Sequence, residues 1–150
     1  YLNEEPSKNP EGIKKMSGAR EQLVYTPPTM AGNSSVATAS DLEAPVIVAP
    51  RVSGFTTRML SKWRPKALIA GLSPSMTAVR QMQLYWGVKP FHAKRAESTD
   101  ALLFASVELL KEKGIVKEGE IVVATAGVVT RANRHEPVAD TNIMRVIVVE

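Results

Sequence analysis

The sequence predicts an α/β domain built on a mostly parallel sheet. Three apolar runs without alternation, residues 46–49, 67–72 and 121–126, have the pattern of strands that are covered on both faces. Helical patterns lie between strand-like runs, which is the arrangement of βαβ units. Residues 143–149 form a last strand-like run, and too few helical residues precede it for a parallel crossover. We therefore expect the last strand to run antiparallel.

Composition narrows the function classes. A chain of 150 residues, 44% hydrophobic and 23% charged, is expected to form one soluble domain. The absence of cysteine excludes disulfides and thiolate metal sites, and the two histidines lie far apart, so we expect no metal site. No apolar run approaches the roughly 18 residues of a membrane helix, and the first residues lack a signal-peptide pattern. We expect a cytoplasmic protein without a membrane partner. The net charge of +4 comes from scattered basic pairs, which argues against nucleic-acid binding.

The first 42 residues divide into two parts. Residues 1–28 contain four prolines and only a weak helical stripe, so a short helix, an arm that docks on a partner and plain disorder all stay open. Residues 29–42 are rich in small side chains, and Pro28 suits a helix start. We expect this helix to lie close against the sheet, and we assign residues 29–150 to the folded domain.

The turn after the first strand has the chemistry of an anion site. Gly54 lacks a Cβ that would obstruct a ligand, and the helix expected from residue 55 points free N–H groups at the same place. Hydroxyls and cations surround it: Ser53, Thr56, Thr57, Arg51 and Arg58. The alternative is that Ser53 or Thr56 caps the helix through its side chain. The arginines favour an anion.

The middle of the chain continues the βα pattern. The helix from residue 55 should end at Trp63, because a residue before a proline leaves the α region and Pro65 follows Arg64. After the strand 67–72, Ser73 and Pro74 suggest a helix N-cap followed by proline at the first helical position.

The next helix and strand follow from residue spacing. The helix is expected to turn Val79, Met82 and Tyr85 or Trp86 toward the sheet and to end at Gly87. Residues 88–92 predict a strand near the sheet edge, since Pro90 cannot donate to a ladder.

The last third contains the clearest helix. Ser98, Thr99 and Asp100 open it, and the apolar stripe of Leu103, Val107 and Leu110 predicts its buried face. His92, just before it, has no nearby second ligand and is expected to be an ordinary strand-end residue. A two-sided strand at 121–127 precedes a polar loop at 128–142, which is long enough to be functional.

Six separated motifs carry a family resemblance. They are S-G-x-T at 53–56, R-P-K-A at 64–67, R-Q-x-x-L-Y-x-G-V-x-P at 80–90, a helix that ends in Lys-Gly at 113–114, G-E-x-V-V-x-x-A-G at 119–127 and T-N-x-M-R-V at 141–146. In this order they resemble the C-terminal domain of pyruvate kinase over about two-thirds of the chain. Residues 9–16 are similar, more weakly, to the last barrel helix that precedes this domain in the intact enzyme. Residues 1–28 could thus be a remnant of that helix.

The resemblance implies a specific architecture and role. It implies a three-layer sandwich: a five-stranded sheet in the order 3-2-1-4-5 with helices on both faces and the last strand antiparallel. In the family this domain binds a phosphorylated sugar or nucleotide effector and helps to build the tetramer. Catalysis, with its magnesium and potassium, belongs to an upstream barrel, so we expect the isolated chain to hold no cofactor and to be inactive in phosphoryl transfer.

Carried over by residue, the effector phosphate would contact Ser53, Gly54 and Thr56, with Thr57 as an added hydroxyl. Arg51 stands where the family usually has Ser or Thr. The loop before the last strand supplies the other half of the family site. Here Arg131 and Arg134 are possible ligands, and residues 137–140 (Pro-Val-Ala-Asp) replace the usual glycines.

A different hypothesis is a stand-alone interaction module without an effector. The last strand is apolar, and an unpaired strand edge tends to pair with another chain. In that case the last strand and the helix at 29–42 would pair with a second copy.

Overall fold

A computed structural model describes residues 27–127 and 141–150. The helices and strands are α1 (Pro27–Asp41), β1 (Val46–Pro50), α2 (Phe55–Lys62), β2 (Leu68–Ser73), α3 (Met76–Met82), β3 (Val88–His92), α4 (Thr99–Glu112), β4 (Ile121–Gly127) and β5 (Thr141–Val148). The predicted arm at 1–28 lies outside the described residues except for its last two positions. The strands at 88–92 and 121–127 have the predicted bounds.

The five strands form one sheet in the order β3-β2-β1-β4-β5. Neighbouring strands from β3 to β4 are parallel, and β5 is antiparallel to β4. Both the predicted strand order and the predicted direction of the last strand are confirmed. As a result, the first residue of β5 lies at the same end of the sheet as the carboxyl ends of β1 and β4.

Helices cover both faces of the sheet, as predicted. One core packs α1 and α2 against Ile47, Ile69 and Val123, while the other packs α4 against alternate residues such as Val48 and Val122. Helix α3 lies on the face of α1 and α2, because Met82 reaches toward Gly71 and Thr57. One face therefore carries three helices, and α4 is the helix that the described residues provide on the other.

The predicted start of α4 is confirmed in detail. Ser98 is its N-cap, and the Ser98 side chain accepts from the backbone N–H of Ala101 at 3.2 Å. The predicted stripe of Leu103, Val107 and Leu110 is buried. Near the same end of the helix, Asp100 pairs with Arg145 of β5 at 2.7 Å.

The predicted start of α3 is wrong. Ser73 is the last residue of β2 and pairs with His92 of β3, so it cannot cap the helix. The N-cap is Ser75, whose side chain accepts from the backbone N–H of Ala78 at 3.3 Å. Pro74 therefore precedes the cap.

The predicted end of α3 is also wrong. The helix ends at Met82, and residues 83–85 continue as tight turns in which each N–H bonds to the carbonyl three residues earlier. This change of geometry leaves Trp86 50% exposed. Gly87 does adopt a left-handed φ of 67°, directly before β3. The final strand also begins two residues earlier than predicted, at Thr141.

Within the described part of the chain, the structure has no helix with the length and apolarity that crossing a membrane requires.

Candidate functional site

The turn between β1 and α2, residues 51–54, is fixed from the neighbouring strand. The N–H of Arg51 donates to the carbonyl of Leu72 at 2.8 Å, which extends the β1–β2 ladder by one residue. The buried hydroxyl of Ser73 donates to the carbonyl of Val52 at 2.8 Å. Position 73, which the sequence suggested as a helix cap, instead holds this turn in place.

Gly54 is the N-cap of α2 and has a left-handed φ of 68°. A Cβ added at this position would lie 3.0 Å from Cγ of Met82, so both the backbone and the space require glycine. The Met82 side chain also packs directly against Gly71 of β2. A Cβ added at Gly71 would lie 2.7 Å from the sulfur of Met82. Two glycines and one methionine thus set the position of the turn.

The N-cap residue Gly54 has no side chain, and the hydroxyl of Thr56 bonds to Arg51 and Thr141, so of the two capping candidates only Ser53 contacts a helical N–H. The N–H groups of Phe55, Thr56 and Thr57 precede the first intrahelical bond, which Arg58 makes to the carbonyl of Gly54 at 3.1 Å. Phe55 N–H has a long contact to Ser53 Oγ at 3.4 Å. The first-turn N–H groups of Thr56 and Thr57 therefore have no intrahelical acceptor.

A network of side chains links this turn to the start of β5. Arg51 Nη1 donates to Thr141 Oγ1 at 2.8 Å and to Thr56 Oγ1 at 3.4 Å, and the two threonine hydroxyls are bonded to each other. Both threonines are buried, whereas Arg51 is partly exposed and its guanidinium lies 5.8 Å from the ring centre of Phe55. Thr141 was not among the predicted site residues, although it opens the last of the six motifs.

The predicted residues have different surroundings. Ser53 is exposed, Gly54 and Thr56 are buried, and Thr57 is fully buried with its hydroxyl turned toward the sheet. A Cβ on Gly71 would lie 3.1 Å from Thr57 Oγ1, and this oxygen has no hydrogen-bond partner among the described residues. Thr57 therefore presents its backbone N–H, rather than its hydroxyl, to the turn.

The other predicted half of the site, Arg131 and Arg134 with residues 137–140, lies outside the described residues. The two described residues that flank it, Gly127 and Thr141, pair with each other across β4 and β5. Thr141 contacts Arg51 and Thr56, so the described residue that follows this segment lies beside the turn. Across residues 27–127 and 141–150, no group of three or more acidic or histidine side chains is arranged to hold a metal ion.

The family model for the pyruvate kinase alpha/beta domain matches residues 31–147. The chain belongs to this family. The pyruvate kinase of Staphylococcus aureus is 39% identical over 137 residues, which is 91% of this chain, and that of Clostridium acetobutylicum is 39% identical over 112 residues, which is 75% of this chain. The chain spans 23% of the length of each of these pyruvate kinases.

A solved pyruvate kinase from Cryptosporidium parvum has the same fold as this domain. The TM-score is 0.71 with 23% sequence identity, and the match covers 82% of this chain and 23% of that one. The predicted family and fold are thus confirmed. The phosphate-binding roles of individual residues stay predictions.

Proposed function

We propose that this chain is the regulatory and oligomerisation domain of a pyruvate kinase and that it binds a phosphorylated sugar or nucleotide at residues 51–57. The observation that carries the proposal is that the Arg51 guanidinium, the exposed Ser53 hydroxyl and the first-turn N–H groups of Thr56 and Thr57 belong to one short turn. Membership of the pyruvate kinase alpha/beta domain family supports it.

The chemistry of a phosphate group matches these donors. A phosphate dianion needs several short, directed hydrogen bonds and positive charge, and a helix N-terminus offers both free N–H groups and the positive end of the dipole. Thr56 and Thr57 present such N–H groups, while Arg51 contributes a planar cation that can bind two oxygens at once. Gly54 leaves the backbone of the turn without a side chain, so a ligand can approach closely.

The hydroxyl of Thr56 acts differently from that of Ser53. It is already bonded to Thr141, and Arg51 donates to both threonines. Either threonine can donate in the bond between them, and Thr56 can donate to a phosphate only when Thr141 is the donor in that bond. Effector binding is thus linked to the first residue of β5.

The proposal assigns regulation, not catalysis, to this domain. The chain spans 23% of the length of its relatives, and we propose that phosphoryl transfer, with its magnesium and potassium, belongs to the remainder of the intact glycolytic enzyme in the cytoplasm. In the intact enzyme, the ligand of this domain would change the rate of the transferase reaction from a distance.

Calorimetric titration tests the site. We expect a sugar phosphate or a nucleotide to bind the 150-residue chain, and the double variant Ser53→Ala with Thr56→Ala to lose at least about tenfold in affinity, because hydrogen bonds to a charged ligand are strong. Arg51→Gln should weaken binding by a similar factor. The pair Ser34→Ala with Thr38→Ala on α1 is the matched control, because Ser34 is exposed, Thr38 is half-buried and both lie outside the turn. Unchanged binding in the Ser53 and Thr56 double variant contradicts the site.

A second candidate function rests on β5 itself. It is an edge strand, and Met144, Val146 and Val148 on one of its faces are 39%, 43% and 57% exposed beside α1. Exposed apolar side chains on an unpaired edge favour pairing with a second copy of the chain. Light scattering should then give the mass of an oligomer, and Val146→Lys should give that of a monomer. A monomeric wild-type chain at high concentration contradicts this function.

A further inference from the structure

Every charged side chain between β1 and the loop after β3 is basic. Residues 44–96 contain no aspartate or glutamate, and they form β1, α2, β2, α3 and β3. In the sequence these basic residues are scattered, which argues against nucleic-acid binding. The three strands are neighbours in the sheet, however, so the fold collects the charges on one half of the domain. They are Arg51, Arg58, Lys62, Arg64, Lys66, Arg80, Lys89, Lys94 and Arg95. This half should therefore attract anions.

Helix α2 carries the central part of this surface. Phe55, Arg58 and Lys62 are exposed and follow one another at helical spacing, so they form a row along α2. Near the end of the helix, Ser61 Oγ donates to the carbonyl of Trp86 at 2.8 Å, which places Trp86 beside the last turn. We call Phe55, Arg58, Lys62, Arg64 and Trp86 the α2 stripe. From residue 55 to residue 64 it is roughly 13 Å long at the helical rise.

An aromatic ring lies at each end of the α2 stripe, with an arginine beside it. The Arg51 guanidinium is 5.8 Å from the ring centre of Phe55, and that of Arg64 is 5.6 Å from the ring centre of Trp86. Phe55 and Trp86 are 43% and 50% exposed. Aromatic rings and guanidinium planes are the groups on which unpaired nucleobases stack. The stripe thus has a stacking surface at both ends and cations between them.

The cations of the α2 stripe are available to a ligand. Within residues 27–127 and 141–150, neither Arg58 nor Lys62 forms an ion pair. Arg64 has a left-handed φ of 45° just beyond α2, where glycine is usual. Such strain is expected where a side chain has a function that glycine could not perform. An arginine here contacts Trp86 and adds a third cation to the row.

We propose that the α2 stripe binds single-stranded RNA. Phosphates contact Arg58, Lys62 and Arg64, while bases stack on Phe55 and Trp86. The length of the stripe matches about four stacked nucleotides at roughly 3.4 Å each. A duplex would keep its bases paired and away from the rings, and an acidic peptide would have no planar groups to cover them. In the cytoplasm, where we expect the protein, the single-stranded nucleic acid is RNA.

Fluorescence anisotropy with a labelled 12-nucleotide oligouridine tests the proposal on the full chain. We expect binding that weakens as salt rises, and a 12-residue oligoglutamate should bind at least about tenfold more weakly, because it offers charge without bases. Arg58→Gln with Lys62→Gln should lower the slope of log affinity against log salt by about 1.4, since each phosphate contact contributes about 0.7. Lys113→Gln with Lys117→Gln, two exposed positions at and after the end of α4, is the control of equal charge and should keep the wild-type slope.

Tryptophan fluorescence tests the stacking. Oligouridine should quench the wild-type chain and the Trp63→Phe variant, in which Trp86 remains. Trp86→Leu should abolish the quenching and weaken oligouridine at least about fivefold, while the bond from Ser61 to the carbonyl of residue 86 is kept.

Absence of oligouridine binding at low salt overturns the proposal, as does unchanged quenching in Trp86→Leu. Equal affinity for oligoglutamate also overturns it and would assign the surface to an acidic protein segment. An equal loss of slope in the two lysine and arginine double variants would show that net charge alone attracts the RNA, which contradicts a site on α2. Ser53→Ala with Thr56→Ala should bind oligouridine as the wild-type chain does, which keeps this test separate from that of the effector.

Discussion

The two ends of the sheet differ in how their backbone is held. At the carboxyl end, the turn at residues 51–54 is fixed by contacts from β2, α3 and β5, and Gly54 and the threonines that follow it are buried, whereas Ser53 is exposed. At the amino end, charged residues occupy left-handed positions after two helices and make no ion pair with the described residues. Substitutions at the turn should therefore lower stability and ligand affinity together, whereas glycine at a left-handed position of the amino end should raise stability.

Gly71→Val should give the largest loss of stability. It tests whether the packing of β2 against Met82 and Thr57 supports the turn at the carboxyl end. A Cβ at this position would lie 2.7 Å from Met82 Sδ and 2.9 Å from Thr57 Cγ2, and Val adds two further methyl groups. We expect a loss of about 3 kcal/mol in the free energy of unfolding from overpacking, measured by urea denaturation. Effector affinity should fall with it, since Met82 supports Gly54. Unchanged effector affinity would show that the turn does not depend on this packing.

Gly54→Ala should give the next largest loss in the free energy of unfolding. The positive φ and the 3.0 Å approach to Met82 Cγ together should cost about 2 kcal/mol. Gly114→Ala is the matched control, because Gly114 has φ of 67° and nothing within 4 Å of the added Cβ. It should cost about 1 kcal/mol, through the backbone alone. Equal losses in the two variants would mean that Met82 moves away without cost.

Thr141→Val removes the hydroxyl that joins β5 to the turn. Thr56 and Arg51 both lose a hydrogen-bond partner, and Thr56 is buried. We expect a loss of about 1.5 kcal/mol in the free energy of unfolding, together with a changed effector affinity. Urea denaturation with and without a sugar phosphate measures both. A stability loss without any change in affinity would separate the start of β5 from the site.

Glu43→Gly, at the amino end of the sheet, should raise the free energy of unfolding rather than lower it. Glycine adopts φ of 51° without strain, so the free energy of unfolding should rise by about 1 kcal/mol. Glu112→Gly, at the helical end of α4, should instead lose about 0.7 kcal/mol. Thermal denaturation measures both. A destabilised Glu43→Gly variant would contradict the strain attributed to this end.

The type of each strand could be predicted from the sequence because the strands have strong local patterns. Residues 121–127 are mostly apolar without alternation, and Pro90 favours an edge position for β3, whereas the full strand order came from the family resemblance. The start of α3 could not be found in this way, because Ser73 and Ser75 are equally suitable caps. The choice between them depends on Ser73 bonding to Val52, a contact between distant residues.

The site was predictable only in part, because it too depends on contacts between residues that are far apart in the sequence. Glycine and hydroxyl residues in one short segment indicated the turn, and Gly54 has the left-handed conformation that such a turn requires. The partner of Thr56 is 85 residues away, and the direction of the Thr57 hydroxyl depends on its packing against Gly71. The motif that begins at Thr141 was the only sequence signal for its role.

Asp100→Asn should have the smallest effect and distinguishes the two attachments of β5. Asp100 pairs with Arg145 at 2.7 Å, but their side chains are 65% and 44% exposed, so solvent and salt screen the pair. We expect a loss of about 0.5 kcal/mol or less in the free energy of unfolding, and a smaller loss at high salt. Because this pair joins β5 to α4 and does not contact the turn, effector affinity should stay at the wild-type value. A loss as large as that of Thr141→Val would mean that surface charge, rather than the buried hydroxyls, holds the strand at the carboxyl end of the sheet.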